Sequence, residues 1–147
     1  MNGIEIRKMT SVDIDAVAEL EGENFAMPWK KNDFEDLLDK SDKGCMVADA
    51  DGEIIGCVVY HNIVGDVDIT NVQVRQAFRR QGVAGELMLA AMKEAEGIGG
   101  INFTLEVRAS NTPAIALYES LGFVSEGVRR NFYEHPIEDA LIMWKRS

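Results

Sequence analysis

The sequence predicts a mixed α/β domain, and three observations predict it. Stretches with a two-residue apolar period alternate with stretches of helical period. A late strand–helix–strand unit is long enough for a right-handed crossover that makes its two strands parallel. The 147 residues suit one core, so a single domain over 1–147 is expected, with helices covering both faces of the sheet.

The elements follow in order. "GIEIRKM" alternates in part and predicts a first strand. "TSVDIDAVAELEGENF" predicts a helix capped by Thr10 or Ser11, with Ile14, Val17 and Ala18 at helical spacing. "MPWKKNDFEDLLDK" breaks at Pro28 and restarts with Asn32 as cap and Glu35 three residues on, a capping-box spacing. Phe34, Leu37 and Leu38 form its apolar stripe. "CMVADADGEIIGCVVYHNI" predicts a hairpin turning at Asp51-Gly52. "DVDITNVQV" is a further strand.

Next comes a helix whose one face carries Ala84, Leu87, Met88, Ala91, Met92 and Ala95, ended by the run from Gly97 to Gly100. "INFTLEV" predicts a strand, and "SNTPAIALYESLGF" a helix with Pro113 in its first turn and Gly122 at its stop. "FVSEGVRRNFY" and "EDALIMWK" predict the last two strands. The order is β-α-α-β-β-β-α-β-α-β-β.

Charge narrows the function. A net charge of −10 argues against a nucleic-acid backbone as main partner, because such binding rests on Lys and Arg. It leaves room for a cationic substrate, and charge alone does not choose between that and simple solubility. No apolar run reaches membrane-spanning length. The opening "MNGIEIRKM" has neither an apolar signal core nor transit-peptide character, so a cytoplasmic location is expected. Cys45 and Cys57 are expected to stay reduced in the core, and no metal-ligand spacing is visible.

Against this acidic background, Arg75, Arg79 and Arg80 gather just before a helix start at Val83. A helix N-terminus exposes unpaired N–H groups and the positive end of its dipole, which suits a phosphate. Gly82 admits a close approach, Ala84 and Gly85 keep the first turn bare, and the arginines add charge at the rim. No Gly-Lys-Ser/Thr follows, and Gly-x-Gly-x-x-Gly is absent, so neither a P-loop nor a dinucleotide fingerprint is present. The alternative is a glycine-softened turn with solvated arginines.

Four blocks settle the context: "NFAMPWKKNDFEDLL", "QVRQAFRRQGVAGELM", "LEVRASNTPAIALYESLGF" and "RRNFYEHPIEDALIM". Together they resemble the GNAT superfamily of acyl-CoA-dependent N-acetyltransferases. Within it they look like the ribosomal-protein alanine N-acetyltransferase (RimI) family. The resemblance implies a mainly antiparallel sheet whose central parallel strands, Asp68–Val74 and Ile101–Val107, splay apart to admit the acyl arm of acetyl-CoA. Gln81, Gly82, Val83, Ala84, Gly85 and Glu86 would cradle the diphosphate. Gln73, Val74 and Arg75 would hold the pantetheine and acetyl groups, with a freed N–H near Val74 polarising the thioester carbonyl. Asn111 would contact the coenzyme, its alternative being a helix cap.

The resemblance makes Glu106 the general base and Tyr118 the general acid. A substrate α-amine, with a pKa of roughly 7.7–8.0, must lose a proton before or during attack, and a nearby carboxylate can receive it. The other reading pairs Glu106 with an arginine at a sheet edge and packs Tyr118 beside Ile115 and Leu121. Phe25, Pro28 and Trp29 match a segment bordering the peptide groove, the alternative for Trp29 being plain core; Tyr133, with Glu134 and His135, would shape the other wall, His135 otherwise being a solvated loop residue. His61 belongs to the hairpin strand. "GVAG" stands where many relatives carry Gly-x-Gly.

The implied activity is direct acetyl transfer in a ternary complex, without a metal, to a basic protein N-terminus. The family's usual acceptor is the N-terminal alanine of the eighteenth small-subunit ribosomal protein. Other N-termini, lysines or small amines are alternatives, as is a non-catalytic acyl-CoA-binding module. A cysteine nucleophile is a weaker rival. The oligomeric state is open, with a monomer favoured.

Overall fold

A computed structural model describes residues 3–147. Met1 and Asn2, the start of the opening read above for targeting signals and of the expected domain, lie outside the described residues. Seven strands form one sheet: β1 (Ile4–Lys8), β2 (Lys43–Ala50), β3 (Glu53–Ile63), β4 (Asp66–Val74), β5 (Asn102–Arg108), β6 (Val124–Tyr133) and β7 (Glu138–Lys145). Four helices connect them: α1 (Ile14–Asn24), α2 (Lys31–Glu35), α3 (Val83–Gly97) and α4 (Thr112–Ser120). The strand order is β1-β2-β3-β4-β5-β7-β6. Every neighbouring pair is antiparallel except β4·β5, which the α3 crossover makes parallel. β7 follows β6 in the chain yet inserts between β5 and β6.

Strand alternation splits the core in two. On one face Val67, Ile69, Phe103, Leu105, Val107 and Met143 pack against Leu87, Met88 and Ala91 of α3 and Tyr118 of α4. On the other, Cys45, Val47, Cys57 and Val59 pack against Val17 of α1, Phe34 of α2 and Leu37. Leu87 and Phe34 are fully buried, and burying each such side chain stabilises the fold by about 1.5–3 kcal/mol.

Local signals set most boundaries. Asp51 and Gly52 both take positive φ, 50° and 95°, as a two-residue hairpin turn requires. Val64 and Gly65 do the same between β3 and β4, at 52° and 93°. Thr10 caps the turn before α1, its N–H donating to Asp13 Oδ2 at 2.8 Å. Asn111 caps α4 by accepting from Ala114 N–H at 3.3 Å. One cap departs from the sequence expectation. α2 begins at Lys31, and the Lys30 N–H donates to Asp33 Oδ2 at 2.8 Å. Aspartate at the third helical position reaches back one turn to that N–H, so Asn32 lies inside the helix rather than capping it.

Candidate functional site

The site begins where the parallel ladder stops. β4 and β5 pair only from Asp66↔Asn102 to Asp68↔Thr104. Beyond that point β4 carries a bulge against β3, where the register shifts between Cys57 and Val59. Asn71 sits in the bulge with φ 53°, a left-handed conformation asparagine tolerates better than most residues. A bulge bends its strand and ends regular pairing. β4 therefore parts from β5, and a gap opens through the sheet.

One end of the gap leads to the mouth of α3. After β4 the chain makes a short turn at Gln76–Phe78 and passes Arg80 (φ 64°) and Gly82 (φ 81°), both left-handed. The first helical bond of α3 runs from Glu86 N–H to Gly82 O at 3.1 Å. The N–H groups of Val83, Ala84 and Gly85 consequently have no helical acceptor. A cavity of about 660 Å³ lies against this mouth. Val72, Gln73 and Val74 of β4 line it, as do Arg79, Arg80, Gly82 to Gly85, Asn111 and Tyr118.

Not every rim residue points there. Arg79 donates from Nε to Val74 O and from Nη2 to Asn24 Oδ1, both at 3.0 Å, so it braces the end of β4. Arg75 turns to Glu23 at 3.3 Å and Glu53 at 3.4 Å and does not line the cavity. Gln81 and Glu86 are exposed and are outside the lining too. The Gln73 side chain is buried on the α1 side of β4.

The cavity fits an anionic, phosphate-bearing ligand such as acetyl-CoA. Three unpaired amides and Arg80 face it, and a Cβ built on Gly82 would meet no protein atom within 4 Å. That open space lets a ligand approach the backbone.

Glu106 and Tyr118 flank the gap from opposite faces. Phe103, Leu105 and Val107 of β5 point toward α3, so Glu106 points the other way. It pairs across the sheet with Ile142 of β7, so it occupies a central strand and not an edge. Arg129 Nε lies 2.9 Å from its Oε2. The angle is wrong for a hydrogen bond, and that buried oxygen has no hydrogen-bond partner. Tyr118 is 6% exposed, its ring tilted on Phe123 at 6.1 Å. Burial, helped by the proximity of Tyr133, pushes its phenol up to about 12, so it is protonated at neutral pH. Its ring packs in the core while the residue still lines the cavity.

The α1 side of the gap carries the residues expected at an acceptor groove. Phe25 is exposed and borders the large cavity, and Pro28, three residues on, is exposed. Trp29 is half-buried, 5.2 Å from the Phe34 ring, and lines a second cavity of about 430 Å³ with His61, Asp68 and Thr70. Tyr133, in β6, lies under the Arg108 guanidinium at 4.4 Å. Burial raises its phenol first and the Glu106 charge second. Glu134 and His135 follow in the β6–β7 turn. His61 lies in β3, 3.1 Å from Asp42.

Sequence reasoning missed Glu21, Asn71, Asp68 and Arg129. Burial raises the Asp68 carboxyl against the pull of His61 and Arg129. Glu21 had a signal: it falls four residues after Val17, on the buried stripe of α1. Cys45 and Cys57 are buried and free, and their contact with each other, with burial, drives the Cys45 thiol up.

The model for the acetyltransferase (GNAT) family matches residues 14–123. A Bacillus subtilis protein provisionally named a [ribosomal protein bS18]-alanine N-acetyltransferase is 35% identical over 140 residues, 95% of this chain and 93% of that one. A Salmonella typhimurium protein named a [ribosomal protein bS18]-alanine N-acetyltransferase is 33% identical over 145 residues, 97% and 96% of the two chains. The crystal structure of the ribosomal-protein-S18-alanine N-acetyltransferase from Escherichia coli matches with a TM-score of 0.86 at 30% identity, covering 97% of this chain and 93% of that one.

Proposed function

Since this chain belongs to the acetyltransferase (GNAT) family, using acetyl-CoA as acyl donor, we propose that its acceptor is the N-terminal alanine α-amine of ribosomal protein bS18. The observation that carries this reading is the gap itself. An amide-lined cavity lies on one sheet face and a carboxylate stands on the other, on the two strands whose pairing ends at Asp68–Thr104.

In this reading Val83, Ala84 and Gly85 donate their N–H groups to the donor's diphosphate, with Arg80 at the rim. The freed edge of β4 near Val74 directs a backbone N–H at the developing oxyanion. Acetyl-CoA supplies a thioester, whose carbonyl is the electrophile and whose thiolate is the leaving group. Glu106 accepts the proton of the incoming ammonium, directly or through one water. Tyr118, protonated at working pH, hydrogen-bonds or protonates the departing sulfur. Phe25, Pro28 and Trp29 form one wall of the acceptor groove, and Tyr133 the other. Holding amine and thioester together removes about 7–11 kcal/mol of the barrier in favourable cases.

Charge supports the acceptor class, since a chain of net charge −10 attracts a basic protein tail. We place the reaction in the cytoplasm, where ribosomal proteins are made. Among the described residues no helix is long and apolar enough to cross a membrane. The test is acetylation of synthetic peptides followed by mass spectrometry. A bS18 N-terminal peptide should gain one acetyl group on its α-amine. Turnover of a small-molecule amine or lysine side chain, with none on that peptide, would refute the assignment.

A further inference from the structure

Glu21 is a buried carboxylate, 2% exposed, that the mechanism above does not use. It has no lysine or arginine partner among the described residues. Instead it accepts only from neutral N–H groups. The Trp29 backbone N–H donates to Oε2 at 3.1 Å. Asn71 Nδ2 donates to both oxygens at 3.1 Å, and Gln73 Nε2 to Oε1 at 2.7 Å. Burying a carboxylate is costly unless its lone pairs are filled, and here three donors fill them.

The donors come from the two parts that must cooperate. Trp29 belongs to the acceptor wall. Asn71 and Gln73 belong to the bulge that parts β4 from β5. The chain of bonds continues from Gln73 Oε1 to Asn24 Nδ2 at 3.0 Å, and from Asn24 Oδ1 to Arg79 beside the α3 mouth, also at 3.0 Å. Asn71 holds its left-handed φ of 53° with its side chain tied to Glu21.

We propose that Glu21 is a positioning residue that locks the acceptor loop to the bulged acyl-binding strand, so that groove and oxyanion site form as one unit. It touches neither substrate and acts through Trp29, Asn71 and Gln73. The inference rests on the acetyl-transfer reading and assigns that site its geometric brace. The α3 mouth lies outside the Glu21 contacts, so donor binding and catalytic geometry separate under mutation.

Glu21→Gln keeps the shape but turns an NH₂ toward two of the three donors, whichever oxygen it replaces. The variant should bind coenzyme A, by calorimetry, within about threefold of wild type. With the bS18 peptide its kcat should fall and its peptide KM rise, each by about tenfold, as small misplacements of reacting groups do. A second variant guards against misfolding. Glycine adopts φ 53° without strain but lacks the amide that reaches Glu21, so Asn71→Gly should lower kcat by about tenfold with coenzyme A binding within about threefold of wild type. Wild-type kcat and peptide KM in Glu21→Gln, however far its melting point drops, would reduce Glu21 to a structural role. Wild-type kcat in Asn71→Gly would do the same. If wild type ignores the peptide, the acceptor assignment fails on its own. The brace is then read from acetyl-CoA hydrolysis at saturating donor, which Glu21→Gln should slow and which an unchanged rate would contradict.

Discussion

Arg129 Nε stands 2.9 Å from Glu106 Oε2, yet that oxygen accepts no hydrogen bond. Arg129 pairs with Ala140 and Glu106 with Ile142, so the two meet diagonally across β7. The contact balances charge and leaves that buried oxygen without a hydrogen-bond donor.

Glu106→Gln removes the proposed proton acceptor and keeps the volume. We expect kcat to fall by about 10²–10⁴-fold, the usual share of general-base catalysis. Calorimetric binding of coenzyme A should be unchanged, because Glu106 faces away from the α3 cavity. A kcat near wild type would remove it from the chemistry.

Tyr118→Phe should lower kcat by about tenfold or more, measured by thiol release at saturating substrates. It also carries a pH signature. The folded pKa is about 12 against an ordinary 10.0. The folded state thus keeps a proton that the unfolded chain releases, and this contribution to stability is full below pH 10. It is lost as pH rises from 10 to about 12. Thermal melts across that window should fall less steeply for Tyr118→Phe, with a residual slope from Tyr60, also held at about 12 by burial.

Gly82→Val should weaken acetyl-CoA binding by about tenfold or more while leaving the acid–base pair in place. The added Cβ meets no protein atom within 4 Å, so crowding at that atom is not the cause. The φ of 81° alone should cost about 1–3 kcal/mol of stability, read from urea unfolding. The binding loss reports the side chain occupying ligand space. Unaltered donor affinity would mean that the diphosphate lies elsewhere.

Direct transfer predicts that neither thiol is a nucleophile. Both cysteines are buried, and the Cys45 thiol is driven up rather than down. A Cys45→Ala, Cys57→Ser variant should keep turnover within about threefold, with no acetyl-enzyme visible by intact mass after incubation with donor alone. A trapped acetyl-cysteine in wild type would establish a two-step route.

Most of the framework was legible because its causes are local. The stripe from Ala84 to Ala95, the Asp51-Gly52 turn and the Asn111 cap each depend on residues within a few positions. The glycine and arginines before Val83 pointed to the α3 mouth for the same reason. What stayed hidden depends on distant partners. Nothing near Asn71 in sequence announces a bulge, since the carboxylate that holds it lies 50 positions away. Arg75 and Arg79 looked alike among the basic residues, but Glu23, Glu53 and Asn24 decide where each turns. The insertion of β7 beside β5 likewise follows from tertiary packing rather than from either strand's own pattern.

That insertion has a consequence for biosynthesis. While the ribosome has delivered only β1 through α4, the outer margin of β5 is a row of unsatisfied amides and carbonyls, six residue positions long from Phe103 to Arg108. Such a margin recruits strands from other polypeptides. The nascent protein is therefore most prone to aggregate just before the β6–β7 hairpin emerges, and a stalled or shortened translation product inherits that stickiness permanently.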